Sequence, residues 1–227
     1  MRAALQFLTI LPVPSSETRP GAAAWAFPIV GAMLGLLCAL IVPFKLGPIL
    51  AMITLAVLTG GLHEDGLADV CDSVRAYRSP EKMHLILKDS RIGAHGALAL
   101  IAAFVFRWQA LTYIGADRWL LLVAAYGLSR AQMVMLAATS PAVGGGLGAA
   151  FVATLSQRMA VIVAVESIIL CALAGWPVGP VLLGANTVLL LLSRHWFIAR
   201  LGGVTGDCMG FVCVASEAVS LGIVACL

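Results

Sequence analysis

The sequence predicts an all-α, polytopic integral membrane protein, a helical bundle with about six to seven transmembrane helices. Of its 227 residues, 61% are hydrophobic and only 11% are charged, and the mean hydropathy is +1.02. So few charged side chains cannot cover a surface exposed to water. The apolar residues form long unbroken runs, which favour helices over a transmembrane barrel. Soluble globular, disordered and fibrous proteins are therefore excluded, and the net charge of +3 is too small to indicate nucleic-acid binding.

Seven apolar runs approach the roughly 20 residues that a spanning helix requires. They cover 22–44, 46–62, 96–115, 119–139, 159–176, 181–200 and 208–227. The second run is short, and Glu217 interrupts the last. The N-terminal stretch 1–14 is too short to span, and we expect an interfacial segment there, with a signal peptide as the alternative. We expect one membrane-embedded catalytic domain over 1–227, with the polar segment 63–95 inserted between spans.

The basic residues are distributed unequally between the two sides that seven spans define. Ten of the 14 Lys and Arg fall on the N-terminal side and two on the opposite side, while Arg107 and Arg130 lie within spans. Because positively charged loops are retained in the cytoplasm, the N-terminal side is predicted to be cytoplasmic. The pattern is typical of a multi-pass protein of the inner (plasma) membrane, with the lipid bilayer as its surroundings.

The segment 63–95 concentrates the polar residues of the chain. It holds six of the 11 carboxylates, five of the 14 Lys and Arg, and three of the four His. Asp65, Asp69 and Asp72 follow the spacing i, i+4, i+7, which places them within about 60° of one another on a helix. Three like charges on one face repel, so a bound cation would stabilise the arrangement. A solvated cytoplasmic loop is the alternative.

Carboxylates without clustered Cys or His favour a hard cation such as Mg²⁺, which is commonly shared with substrate phosphates. Lys88, Asp89 and Arg91 precede two glycines, a composition that suits phosphate oxygens. Asp207 follows a Gly-rich turn on the same predicted side, where it would be either a further metal ligand or a helix cap. The glycines of 144–148 predict a flexible loop on that side too, so all polar motifs are predicted to converge on one face.

Arg130 and Glu166 are among the ionisable residues inside the apolar runs. They would form an ion pair that fixes helix packing, or else Arg130 would face the phosphate site. The six cysteines have no metal-type spacing, and no disulfide framework is expected.

Three motifs, in order, resemble the cobalamin synthase family. They are GLHEDGLADVCD at 61–72, KDSRIGAHG at 88–96 and TGD at 205–207, and the opening QFLTILPVP at 6–14 is also similar. The resemblance covers nearly the whole chain. It implies an integral inner-membrane enzyme that requires Mg²⁺. Such enzymes transfer the adenosylcobinamide phosphate of adenosylcobinamide-GDP to α-ribazole or its 5′-phosphate and release GMP.

The resemblance and the charge pattern together give the expected site. The catalytic candidates are His63, Asp65, Asp69 and Asp89; the phosphate-binding candidates are Lys88, Arg91 and Arg130; and the metal-ligand candidates are Asp65, Asp69, Asp72, Asp89 and Asp207. The number of metals, the group that takes the hydroxyl proton and the formation of a homo-oligomer stay open. The sequence departs from the family at Glu64, a position that is commonly apolar. It departs again at Val214, where an acid commonly follows the TGD motif, so that Glu217 is the nearest carboxylate.

Two other functions fit parts of the pattern. CDP-alcohol phosphotransferases require an Asp three residues before the Asp-Gly pair and an Ala-Arg pair three residues after it, but Leu62 and Asp69-Val70 occupy those places. A small-solute transporter would use Arg130 and Glu166 on its path and would predict inverted repeats, which the sequence does not display.

Overall fold

The structure, a computed structural model, describes residues 1–14, 19–74, 79–87, 89 and 91–227. Within these ranges the chain is helical and has no strands, which confirms the predicted fold class. The helices are α1 (Arg2–Leu8), α2 (Phe27–Ile41), α3 (Gly47–Leu58), α4 (Leu62–Ser73), α5 (Pro80–Ile86), α6 (Ala94–Tyr113), α7 (Trp119–Thr139), α8 (Gly146–Thr154), α9 (Gln157–Ala174), α10 (Val178–Leu201) and α11 (Gly206–Cys226). Short 3₁₀ segments, Pro20–Ala26 and Ala116–Arg118, lead into α2 and α7.

Six of these helices are long and apolar enough to cross a membrane: α2 with its 3₁₀ lead-in, α6, α7, α9, α10 and α11. The predicted span over 46–62 does not form one continuous helix. Helix α3 has 12 residues, which rise only about 18 Å against a hydrocarbon core of about 30 Å. Gly60 and Gly61, with φ of +62° and +68°, then turn the chain, and α4 leaves at 88° to α3. The bundle therefore has six spans, or seven if this bent pair is counted as one.

Small residues allow the helices at the centre of the bundle to pack closely. A Cβ atom built on Gly31 or Gly35 would meet the backbone of α7 at Tyr126 or Leu122. Both glycines are buried on α2, and their GxxxG spacing places them on the face that contacts α7. Helix α7 lies in the interior and is buried along most of its length. It forms the scaffold around which the other spans are arranged.

The polar segments gather at one end of the bundle. There the amide of Val143 donates to the carbonyl of Val204 (3.0 Å), and the amide of Gly21 donates to the hydroxyl of Thr154 (2.9 Å). His84 Nε2 lies 3.2 Å from the carbonyl oxygen of Leu201. The predicted loop over 144–148 is partly helical, because α8 begins at Gly146. This end therefore brings together the N-terminus, the segment 63–95, α8 and the TGD turn.

Candidate functional site

Helix α4 carries the predicted carboxylate face. It covers Asp65, Asp69 and Asp72, and Gly61 in the left-handed region marks its start. Asp65 and Asp69 line one cavity of about 680 Å³, between α4 and the N-terminal segment. Asp65 also lines a second cavity of about 370 Å³, together with His63 and Asp207. We name these the larger and the smaller cavity; the carboxylate of Asp65 belongs to the walls of both.

Glycines at the crossing of α4 and α11 bring the two acidic motifs together. A Cβ on Gly66 would lie 2.7 Å from the carbonyl oxygen of Asp207, and one on Gly210 would lie 3.1 Å from that of His63. Thr205 caps α11 by accepting from the amide of Cys208, and its hydroxyl also donates to Asp207 (3.2 Å). The cap fixes the direction of the Asp207 carboxylate at the start of α11, so the TGD turn joins the site that α4 begins.

The carboxylates of Asp65, Asp69 and Asp207 form a cluster of negative charge. The charges of Asp65, Asp207 and Asp72 all act on the carboxylate of Asp69, and that of Asp65 acts on Asp207. In the described ranges, none of the three forms an ion pair with Lys, Arg or His. Among the described residues, no group of three or more His, Cys, Asp or Glu side chains is arranged to hold a metal ion by itself. One or two carboxylates of this cluster are the protein ligands that Mg²⁺ commonly uses, since it keeps several waters and completes its shell with phosphate oxygens.

His63 is buried in the wall of the smaller cavity that Asp65 and Asp207 also line. The residue is only 2% exposed. Both ring nitrogens are buried and lack a hydrogen-bond partner among the described residues. A buried polar atom without a partner costs free energy unless a ligand or water satisfies it. Neither nitrogen is exposed to the smaller cavity, so a ligand there would reach the imidazole only through a movement of the cavity wall.

Asp72, the third carboxylate of the α4 face, is engaged in holding α6. Its two oxygens accept hydrogen bonds from the amides of Gly93 (2.7 Å) and Gly96 (2.9 Å). These amides belong to the N-terminus of α6, which a carboxylate stabilises. Asp72 lines neither the larger nor the smaller cavity.

Asp89 and Arg91 lie in a third cavity, which also includes Asp72 and His95 and adjoins the larger cavity at Ile92. Arg91 donates to Asp89 (2.7 Å), and its guanidinium lowers the pKa of that carboxyl to about 2. The predicted site is thus divided between Asp65, Asp69 and Asp207 in one group, and Asp72 and Asp89 in a neighbouring one. Lys88, predicted to bind phosphate, lies outside the described residues.

The predicted ion pair between Arg130 and Glu166 is wrong. Arg130 donates to Glu217, and Arg107 donates to both Glu217 (2.5 Å) and Glu64 (3.1 Å). Arg130 lies in the bundle interior and lines neither carboxylate cavity, so its predicted phosphate contact has no support from the geometry. Sequence reasoning missed this four-residue network. The interruption of the last span by Glu217 was the signal that could have found it.

Comparisons with known proteins identify the family to which the chain is similar. A sequence model of the cobalamin-5-phosphate synthase family matches residues 1–225. The chain is 36% identical to the adenosylcobinamide-GDP ribazoletransferase of Geotalea daltonii, over 96% of this chain and 93% of that protein. It is 37% identical to the adenosylcobinamide-GDP ribazoletransferase of Bradyrhizobium diazoefficiens, over 92% and 86% of the two chains.

A third relative with the same name, from Herpetosiphon aurantiacus, is 33% identical over 99% of this chain and 95% of its own. No solved structure matches the chain. Since the family model covers nearly every residue and relatives above 30% identity extend over almost the full length, the chain belongs to the cobalamin-5-phosphate synthase family.

Proposed function

We propose that this chain transfers the adenosylcobinamide phosphate of adenosylcobinamide-GDP to α-ribazole or its 5′-phosphate, and so forms adenosylcobalamin or its 5′-phosphate. GMP is the leaving group. The observation that carries the proposal is the meeting of two separate motifs, through Asp65 and Asp69 on one and Asp207 on the other, beside the buried imidazole of His63. Family membership supports the same reaction and argues against the CDP-alcohol phosphotransferase and transporter alternatives.

The chemistry is phosphoryl transfer, in which positioning and charge neutralisation supply most of the catalysis. A new bond forms between the ribazole 3′-oxygen and the phosphorus that carries cobinamide, and the bond from that phosphorus to the GMP oxygen breaks. One or two of the carboxylates of Asp65, Asp69 and Asp207 would hold Mg²⁺, whose charge would neutralise that of the pyrophosphate. His63, with both ring nitrogens unpartnered among the described residues, is the group we assign to take the hydroxyl proton.

The proposed location is the inner membrane, crossed several times, with the site on the cytoplasmic face. Support comes from the excess of Lys and Arg, ten against two, on the side where the polar motifs are predicted to lie. It also comes from the hydrogen bonds that tie Val143 to Val204 and Gly21 to Thr154 at one end of the bundle.

The decisive experiment is reconstitution of the reaction. The chain, purified in detergent, is incubated with adenosylcobinamide-GDP, α-ribazole and Mg²⁺, and GMP and adenosylcobalamin are quantified by chromatography. We expect equal amounts of both products, and none after chelation with EDTA until Mg²⁺ is restored. The variant Asp65→Asn, which keeps the side-chain shape and removes the charge, is the matched control and should form neither product. Absence of product from the wild-type chain with Mg²⁺ present would contradict the proposal.

A further inference from the structure

We propose that the two cavities that meet at Asp65 separate the two substrates. The smaller cavity binds the acceptor, a neutral aromatic nucleoside, and the larger cavity binds the nucleoside-diphosphate end of the donor. The inference rests on the proposed function and assigns its substrates to particular walls of the site.

The first turn of α4 is the partition between the cavities. Phe7, Leu62 and Asp65 line both of them, while all other lining residues belong to only one. Of the three shared residues, only Asp65 carries a polar side chain. A transfer between two bound molecules must take place where their sites adjoin, since the attacking oxygen and the phosphorus have to approach to about 3–3.5 Å. Asp65 therefore marks the position at which the phosphoryl group is transferred.

The walls of the smaller cavity suit a flat, uncharged ring attached to a sugar. Its volume of about 370 Å³ lies within the range of small-molecule sites. Leu87, Met133, Leu147 and Met209 supply apolar surface, and methionine sulfur packs well on aromatic rings. Asp65 and Asp207 supply carboxylates that can accept hydrogen bonds from the hydroxyl groups of a sugar, and the described lining residues include no Lys or Arg.

The larger cavity offers more room. It presents three carboxylates, from Glu64, Asp65 and Asp69, of which Glu64 is paired with Arg107, and its described lining residues include no Lys or Arg. A pyrophosphate can enter such a site only together with a divalent cation, which compensates the negative charges of the carboxylates and of the pyrophosphate. On the rim, Ile10 is 61% and Ile92 is 58% exposed. The corrin ring of the donor is far larger than a nucleotide and would rest on this apolar rim.

The assignment separates the metal requirements of the two substrates. Nucleoside diphosphate should bind only when Mg²⁺ is present, because the larger cavity repels an uncompensated anion. Neutral α-ribazole should bind with or without the cation. GDP is the probe for the donor, since it carries the pyrophosphate and the guanosine without the corrinoid.

The test uses side chains that narrow one cavity at a time. Gly145 lines the smaller cavity, has an ordinary extended backbone, and would place a Cβ with no atom within 4 Å. Gly145→Leu therefore adds bulk without displacing the backbone. Leu100→Trp on α6 narrows the larger cavity. Gly184→Leu on α10 is the matched control, because Gly184 is exposed, lines neither cavity, and also has no atom within 4 Å of its Cβ.

Binding of α-ribazole and of GDP is measured by equilibrium dialysis on the purified full chain, with Mg²⁺ and with EDTA. Gly145→Leu should weaken α-ribazole binding about tenfold or more and leave GDP binding unchanged. Leu100→Trp should weaken GDP binding and leave α-ribazole binding unchanged. Gly184→Leu should alter the binding of neither ligand. EDTA should abolish the binding of GDP but not that of α-ribazole. Michaelis constants for the two substrates of the complete reaction should show the same division.

Two outcomes overturn the assignment: weaker GDP binding in Gly145→Leu with α-ribazole unaffected, or equal losses of both ligands in either cavity variant. If Gly145→Leu does not fold, Leu147→Trp replaces it, because Leu147 lines the same cavity and is 70% exposed. Failure of the proposed function has a different signature, because the wild-type chain would then form no GMP. A wild-type chain that is active while its variants show the wrong pattern refutes only the division of substrates.

Discussion

At the scale of single residues, Glu217 is the buried carboxylate that pairs with two buried arginines. The guanidinium groups of Arg107 and Arg130 are buried, and both donate to this carboxylate. A buried pair adds little net stability as a whole, but removal of one partner leaves an uncompensated charge, which costs about 3–5 kcal/mol. Here one carboxylate serves two cations, so its loss leaves Arg130 without a carboxylate partner and Arg107 with Glu64 alone.

We therefore expect Glu217→Ala to lower thermal stability severely or to prevent accumulation of folded protein. Glu64→Leu should be mild by comparison, because Arg107 keeps its bond to Glu217 when Glu64 is absent. Thermal unfolding in detergent, followed by tryptophan fluorescence, compares the two variants with the wild type. A Glu64→Leu protein that is less stable than Glu217→Ala would contradict this reading of the network.

Asp72 should prove separable from its neighbours on α4. It caps α6 through the amides of Gly93 and Gly96, whereas Asp65 lines both cavities. We expect Asp72→Ala to reduce stability by about 0.5–2 kcal/mol, the typical loss for a helix cap, and to leave the Mg²⁺ concentration for half-maximal activity unchanged. Asp65→Ala should abolish turnover at full stability. A large shift of the Mg²⁺ requirement in Asp72→Ala would instead restore Asp72 as a ligand, as the sequence predicts.

At the scale of helices, the sequence is informative about lengths and faces but not about neighbours. Apolar runs predict six of the spans closely, and the i, i+4, i+7 spacing places three aspartates on one helix, because both patterns depend only on local geometry. The partner of Arg130 depends on which helices are adjacent. Helix α11 packs against α7, and this contact brings Glu217 to Arg130. The apolar run over 46–62 likewise does not reveal its bend, because two glycines with positive φ interrupt it without a change in hydropathy.

The turn at 60–61 supplies a test at this scale. Gly61 has φ of +68°, and a Cβ atom added there would meet no atom within 4 Å, so a substitution changes backbone strain and no packing contact. Gly61→Ala should destabilise the protein by about 1–2 kcal/mol, whereas Gly61→Asn should recover part of the loss, since Asn tolerates the left-handed region. Parallel melting curves of the three proteins measure the difference. Equal stability of Ala and Asn variants would show that strain is not the reason for glycine here.

At the scale of the whole molecule, the two ends of the bundle differ in chemistry. One end gathers the carboxylate cluster, α8 and the TGD turn, while the other is built from short connections, such as the one in which Arg118 donates to the carbonyl of Val224 (3.0 Å). Among the described residues, the first end is the one that carries the carboxylate cluster that we propose for phosphorylated substrates. This asymmetry agrees with the excess of Lys and Arg that the sequence places on the predicted cytoplasmic side.

Cysteine labelling on intact cells, after the six native cysteines are replaced, tests the arrangement in the membrane. Three crossings separate Lys45 from Gly145 if the bent pair α3–α4 counts as one span, and two if it does not. We expect the pair to cross, because α4 reaches the end where α6 begins, with Asp72 bound to Gly93. A reagent that cannot pass the membrane should therefore label Lys45→Cys and Trp176→Cys, both at exposed positions, but neither Gly145→Cys nor Gln157→Cys. Labelling of Lys45→Cys and Gly145→Cys from the same side would make the bent pair a re-entrant loop and reduce the crossings to six.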